Sequence, residues 1–284
     1  DSLKQQLERV KSDTAKVALL IELVPVIKCE DGQQRLRYAK EALKISEKQK
    51  FTKGAIAAQY QMGKYYQDCM HNYPKAIEWF EKSHELSLVQ GNITSRFSAY
   101  NAMADCYVGM AEYGKALNCY QQILELNLGR DTVIQVLGNT GVLYQDMGNY
   151  ANALDNYQRA YNLMHEDLLS SDNPTHEDSL TITALKCQIA TVYISIPDYD
   201  RALESYREIL ELNRRIQFNW FDVLARMGIG DCHLNKKEFR PAIASYKLAL
   251  GILENFNENT KDEYLAGAYC KLAETYNEMG MVDS

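Results

Sequence analysis

Apolar positions in this chain recur at intervals of three and four, the period of a helix with one buried face, and not at the interval of two that a strand requires. An aromatic residue is followed three positions on by Ala, and four further by a second aromatic, in Tyr73-Ala76-Phe80, Tyr113-Ala116-Tyr120, Tyr150-Ala153-Tyr157, Tyr199-Ala202-Tyr206 and Phe239-Ala242-Tyr246. Each copy is preceded by a small residue with a ring three places later: Gly63-Tyr66, Ala104-Tyr107, Gly141-Tyr144, Ala190-Tyr193 and Gly230-His233, with a sixth at Ala273-Tyr276. The copies lie 41, 37, 49, 40 and 43 residues apart. Recurrence at this period predicts stacked repeats of two amphipathic helices, broken at HNYP, AEYG, GNYA, PDYD and KEFR. The small residue of the first helix permits close approach, and the Ala of the second accepts a partner's ring.

The ends extend the same pattern. Residues 1–50 read as a degenerate repeat. DTAKVALLIELVPVI, opening at Asp13, is its first helix, and RLRYAKEALKISEK, with Leu36, Ala39, Ala42 and Leu43, is its second. Residues 51–260 hold repeats 1 to 5, and residues 261–284 supply the first helix of a further, truncated repeat that reaches its turn at Gly280. A solenoid needs a cap over its last apolar face, so the natural protein is expected to continue. The fold class expected is all-α, a single continuous right-handed α-solenoid of antiparallel helix pairs.

The succession of a small residue, a ring, an Ala, an aromatic and a second Ala (Ala160 and Ala249 in repeats 3 and 5) resembles the tetratricopeptide repeat over residues 55–280. These repeats exceed the family's length of about 34 residues and lack the Pro that ends its second helix, which resembles a long-helix branch found in bacterial signalling sensors and peptide-binding adaptors. The opening DSLKQQLERVKSDTAKVALLIEL is similar to the start of repeat regions that precede the membrane span and the kinase or DNA-binding output of some bacterial sensory proteins. That resemblance implies an extracytoplasmic location; without it, a cytoplasmic one is expected.

Composition removes several classes. Thirty-one Lys and Arg against 38 Asp and Glu give a net charge of −7, which repels nucleic acid and anionic lipid. No run of 18 apolar residues appears, so no direct membrane contact is expected of this sequence. Seven cysteines without metal-ligand spacing read as small buried hydrophobes and lean toward a reducing compartment. The tripeptide His-Glu-Asp occurs at His165 to Asp167 and again at His176 to Asp178. No helical ligand pair accompanies it, and Thr175 to Asp178 reads as a capping box in a solvated turn, so no metal site is expected there. Similar devices are read at Thr260 and Glu263. GMAEYGKA, Gly109 to Ala116, has phosphate-loop spacing, but Ala116 stands where magnesium needs a hydroxyl. The GIG at Gly228 to Gly230 is a weak motif inside a helix, and FNWFD, Phe218 to Asp222, reads as packing against the preceding repeat. Asn92-Ile93-Thr94 is a glycosylation sequon. No enzyme activity, catalytic residue or cofactor is expected.

What remains is a surface. Positions three before, one after and four after each small residue face away from the pair contact, on the concave side of stacked pairs. They select Tyr60, Lys64, Asn101, Asp105, Val142, Gln145, Thr191, Ile194, Met227, Asp231, Leu234 and Glu274 as a peptide- or protein-binding groove. Val142, Ile194, Met227 and Leu234 are apolar, and Asp105, Asp231 and Glu274 are acidic, so a segment carrying Lys or Arg beside apolar side chains is the partner expected. The Lys and Asn clamp by which some family members hold a C-terminal carboxylate is not matched, because Asp105 stands where an amide or base is wanted. The resemblance implies the sensor or interaction region of a larger signalling protein. The alternative is a scaffold subunit that assembles with copies of itself or within a complex.

Overall fold

The computed structural model describes residues 3–170, 175–216, 219–255 and 261–280. These residues form helices and turns, with no strand among them. The chain divides into two compact units, Asp1–Gly129 and Arg130–Ser284.

The first unit begins with α1 (Leu3–Arg9), α2 (Asp13–Val26), a 3₁₀ turn at Cys29–Asp31 and α3 (Gly32–Lys48). It continues with α4 (Thr52–Asp68), α5 (Tyr73–Gln90), α6 (Ile93–Gly109) and α7 (Tyr113–Glu125). The second unit comprises α8 (Arg130–Asp146), α9 (Tyr150–Ser170), α10 (His176–Ser195), α11 (Tyr199–Ile216), α12 (Asn219–Asn235), α13 (Phe239–Leu253) and α14 (Lys261–Glu278). Each unit is a stack of antiparallel helix pairs, the α-solenoid arrangement, in which a helix packs on its neighbours in the chain. Contacts between next-nearest helices join first helices to one another, α2 with α4, α4 with α6 and α10 with α12. No two second helices in either unit make a comparable contact among the described residues. First helices therefore form the tighter, inner layer of each stack.

The two signatures seen in the sequence explain these contacts. A Cβ added to Gly141 of α8 would stand 2.6 Å from the Tyr157 ring of α9, and Gly63 and Gly230 are filled in the same way by Phe80 and Tyr246. The notch on the first helix thus receives the second aromatic of the partner helix. The Ala between the two aromatics (Ala76, Ala116, Ala153, Ala202, Ala242) is fully buried in every copy. Phe80, Tyr157 and Tyr246 are among the largest fully buried side chains of the chain.

The turn within each pair is also periodic. After α4, α6 and α12 the backbone enters the left-handed region at His71, Ala111 and Lys237, and after α8 and α14 at Gly148 and Gly280. The next residue donates its N–H to the carbonyl of the ring residue one turn back: Asn72 to Tyr66, Glu112 to Tyr107, Asn149 to Tyr144 and Glu238 to His233, at 2.8 to 2.9 Å. Those donors also precede the second helix, and Asn72 and Asn149 accept at Oδ1 from Lys75 N and Asn152 N, 3.1 and 3.3 Å away. One residue therefore closes the first helix and opens the second.

Two expectations need correction. Cys29 and Cys69 are not small buried hydrophobes: they form a disulfide that ties the turn before α3 to the end of α4. Antiparallel α3 and α4 bring those ends together, and the sequence separation of 40 hid the pair. Cys270, too, is exposed, whereas Cys106, Cys119 and Cys232 are buried as expected. The lean toward a reducing compartment loses its basis with the disulfide.

Candidate functional site

The candidate face lies on the side of the first helices turned away from their second helices and is described unit by unit. In the first unit, Tyr60 and Lys64 lie on α4, and Asn101 and Asp105 lie on α6. Tyr60 is half-buried with its ring 5.4 Å from that of Phe80. Burial raises its phenol pKa, and the charges of Asp105 and Asp68 push the same way. Lys64 Nζ bonds Gln67 Oε1 at 2.9 Å and pairs with Asp68 Oδ1 at 3.0 Å. Asp105 touches water, yet the surrounding protein desolvates it and raises its carboxyl pKa, against the opposing pull of Lys64. Asn101 is half-buried on the same helix, one turn before Asp105.

In the second unit the second-helix tyrosines reach past the glycine notches, and their hydroxyls meet residues of this face. Tyr157 donates to Gln145 Oε1 at 3.2 Å, and Tyr246 donates to Asp231 Oδ1 at 2.7 Å. Gln145 thereby has its amide orientation fixed, which leaves the amide nitrogen to donate. Asp231 also lies 3.6 Å from Lys271 Nζ, which stands 3.4 Å from Glu274. Burial raises the Asp231 pKa, opposed by the Tyr246 hydroxyl and the Lys271 charge. Val142 is 42% exposed, and Thr191 is exposed with its hydroxyl donating to the Cys187 carbonyl at 2.9 Å. Ile194 and Met227 are half-buried at the margins of two core clusters.

Leu234 does not serve as expected. It is 6% exposed and packs in the core around Tyr246 and Ala249, so it offers no surface. The structure adds Asp68 and Lys271, which spacing from the small residue did not select because each lies one step outside the three positions used. Lys271 also partly neutralises Asp231 and Glu274, so the acidic character of the second unit's face is weaker than its sequence implies.

The other motifs resolve into structure. His165 stacks on Tyr161, with ring centroids 5.8 Å apart, and Glu166 pairs with Arg130 at 2.6 Å. The capping box at Thr175 and Asp178 is complete, with bonds of 3.1 and 2.8 Å. Among the described residues no group of three potential metal ligands comes together. Thr260 and Phe218 lie outside the described residues, as does the side chain of Asp167. Phe221 packs in the core with Leu203 and Tyr206 of the preceding repeat, while Trp220 meets the Tyr264 ring of α14 edge-on at 4.2 Å. Gly228 has a role that the sequence did not reveal. It takes the Tyr206 ring of α11, so Gly228 and Gly230 together receive rings from the helices on both sides of α12. No described helix is long and apolar enough to cross a membrane.

Comparison with known proteins places this architecture. Models described as tetratricopeptide repeat match residues 54–129, 95–166 and 184–216. An RxLR effector protein of Phytophthora infestans, SFI4, is 26% identical over 162 residues, covering 53% of this chain and 48% of that protein. The chain therefore spans about half the length of the curated relative it matches. Among solved structures, apo RapI aligns with a TM-score of 0.64 at 16% identity, covering 93% of this chain and 72% of its own. The apo form of the quorum sensor NprR from B. thuringiensis aligns with a TM-score of 0.61 at 14% identity, covering 99% and 87%. A signal transduction ATPase with a tetratricopeptide repeat sensor from Pyrococcus horikoshii aligns at 0.63 and 16%, covering 98% and 45%. At such identities the structures speak to fold alone, and that fold agrees with the sequence models and with the ring-filled notches: the chain belongs to the tetratricopeptide repeat family.

Proposed function

We propose that this chain is a non-enzymatic module that binds a peptide or protein segment on the face formed by the first helices within a unit, as the sensor or interaction region of a larger signalling or regulatory protein. The observation that carries this reading is the layering. Among the described residues the next-nearest contacts of any extent join first helices, α2 with α4, α4 with α6 and α10 with α12, which supports an inner face in each unit with polar groups beside apolar ones. Tyr157 holds Gln145 and Tyr246 holds Asp231 in place before any partner arrives, which lowers the ordering cost of binding. In the second unit the amide of Gln145 suits the backbone of an extended segment, Val142, Ile194 and Met227 suit its apolar side chains, and Thr191 adds a hydroxyl; in the first unit Asn101 offers an amide of its own. Asp105 is the position best placed to meet a Lys or Arg. The sensor role rests on the likeness to the repeat sensor and the quorum sensor, which share the fold.

The test is selection of peptides from a random display library on the purified chain. Enriched peptides are expected to carry Lys or Arg beside apolar residues, to bind less tightly at high salt, and to lose affinity when Asp105→Asn or Gln145→Ala is introduced, with Lys247→Ala on α13 as an unaffected control. Absence of any enriched family, or binding indifferent to both face variants, overturns the proposal. A concentration-dependent oligomer that hides the same positions supports the scaffold alternative in its place.

A further inference from the structure

The Cys29–Cys69 disulfide has an unusual neighbour. Arg35 of α3 is 6% exposed, and its guanidinium lies beside both sulfurs, 3.4 Å from Cys69 Sγ and 3.7 Å from Cys29 Sγ. A second guanidinium nitrogen pairs with Asp68 at 3.1 Å, and Nε has no hydrogen-bond partner. A buried cation is costly unless anions and good acceptors surround it, and disulfide sulfur is a weak, neutral acceptor. Asp68 is itself shared with Lys64 at 3.0 Å. Arg35 and Lys64 thus share the one carboxylate of Asp68 next to the sulfurs, with the Asp105 charge felt at both Lys64 and Asp68. A negative charge at Cys69 would face the Arg35 guanidinium directly, at the position where it now meets only neutral sulfur.

We propose that Cys29 and Cys69 form a reversible thiol–disulfide site in which Arg35 stabilises the reduced form, so that a dithiol reductant switches the α3–α4 junction between a crosslinked and an uncrosslinked state. Cys29 is exposed and shares its turn with Glu30 and Asp31, which makes it the sulfur that a reductant reaches and a poor place for negative charge. Cys69 is half-buried against the guanidinium, which makes it the leaving group. A thiolate of the reductant attacks Cys29 Sγ, the Cys29–Cys69 bond breaks, and its electron pair departs on Cys69 as a thiolate facing Arg35. The second thiol of the reductant, as its thiolate, then attacks its own sulfur in the mixed disulfide. Cys29 is released and takes up a proton, and the dithiol leaves as its cyclic disulfide, two electrons having passed to the protein. In the reduced state the Cys69 thiolate competes with Asp68 for Arg35, so the charge beside Lys64 on the first unit's inner face changes with redox state. This inference holds whether or not that face binds a peptide.

The other cysteines leave the site measurable. Burial pushes the thiols of Cys106, Cys187 and Cys232 up to about 12 and that of Cys119 to about 11, which keeps them unreactive in the folded chain, and Cys270→Ser removes the exposed one. The full chain with that substitution is equilibrated in dithiothreitol redox buffers, quenched with maleimide and weighed, with helicity followed by circular dichroism. Two thiols are expected to appear at Cys29 and Cys69 while the helical signal persists. Arg35→Gln is expected to require a roughly tenfold more reducing buffer ratio, or about 30 mV, and Asp68→Asn to shift the midpoint in the opposite direction. A pair that opens only as helicity is lost overturns the proposal, as does a midpoint unmoved by either variant. If Arg35→Gln does not fold, Asp68→Asn alone decides: an unchanged or more reducing midpoint overturns it.

Discussion

The α2–α4 region and the α12–α14 region are built from the same kind of helix pair but are held together differently. Around α12, cohesion is packing: Gly228 and Gly230 admit Tyr206 and Tyr246 from opposite sides, and Ala242, Ala249 and Ala268 are fully buried between helices. Around α3 there is no such pair of notches. Leu20, Leu23, Val24, Tyr38, Ala39 and Ala42 fill the core, and the junction with α4 is secured by a covalent bond and by the pair of buried Arg35 with half-buried Asp68. The N-terminal pairs pack through a core of their own, and the crosslink adds to that packing by restricting the unfolded chain.

Removing a ring should damage the packed region most. Tyr157→Ala and Tyr246→Ala each delete a fully buried ring from its notch and are expected to cost about 3–5 kcal/mol, read by urea unfolding. Tyr157→Phe and Tyr246→Phe keep the ring and lose one hydrogen bond, at about 1 kcal/mol, so a large gap between the two substitutions locates the stabilisation in the ring. In the crosslinked region the matching experiment is Cys29→Ser with Cys69→Ser. A loop of this length corresponds to about 4 kcal/mol of chain entropy at most, and about 2–4 kcal/mol is the expected loss. Should the serine pair cost less than the Tyr157→Phe change, the crosslink contributes little and the contrast between the regions fails.

Glycine notches give the next smaller effect. Gly141→Ala places a methyl 2.6 Å from the Tyr157 ring, which the buried ring cannot avoid without moving α9, and about 1–3 kcal/mol is expected. Gly251→Ala, on an exposed helical face with open space around it, should be neutral or slightly stabilising. The difference between the two separates notch packing from helix propensity.

Much of this was legible because the signals are local. Intervals of three and four mark helix faces, and the turn tetrapeptides fall where the first helices of the five repeats end. The same periodicity selected the candidate face, and of its positions Asp105, Val142 and Thr191 are exposed while Leu234 is not. Less visible were features set by two elements at once. Gly228 became a notch only because α11 delivers Tyr206 to it, and Leu234 was drawn inward by α13. Cys29 and Cys69 became partners only when antiparallel helices were joined end to end. Lys271 lies within reach of Asp231 because α14 stacks on α13 beside α12, a relation that no spacing within one repeat contains.

The face itself carries a weaker, pH-dependent signature. Burial holds the Asp231 carboxyl above its ordinary range, with the Tyr246 hydrogen bond and Lys271 opposing the shift. A carboxyl with a raised folded-state pKa binds more protons folded than unfolded, so its contribution is fully present below the unfolded value of about 3.9 and is lost as pH rises through the folded one. Asp231→Asn keeps an oxygen to accept from Tyr246 and removes the titration. Because Asp231 gains stability as pH falls, the variant lacks that gain and is expected to lose stability more steeply than the native chain on acidification, measured by thermal unfolding at a series of pH values, with an effect under about 1 kcal/mol at neutral pH. A shallower acidic limb in the variant contradicts the direction of the shift.

The smallest effect tests the turn that both regions share. Lys237 closes α12 in the left-handed region at a φ of 60°, where a side chain costs about 1 kcal/mol, while Gly148 and Gly280 hold the equivalent place at 70° and 80° without that strain. Its N–H still donates to the Leu234 carbonyl at 2.8 Å, so the turn forms despite the residue. Lys237→Gly removes the steric cost but widens the unfolded ensemble, and the two effects leave a net gain of about 0.5 kcal/mol. Gly148→Ala runs the same exchange backwards and should lose about 1 kcal/mol. Matching opposite shifts in urea midpoint, with unchanged slopes, would show that one backbone conformation serves every repeat; equal signs would mean that the turns are held by their side chains.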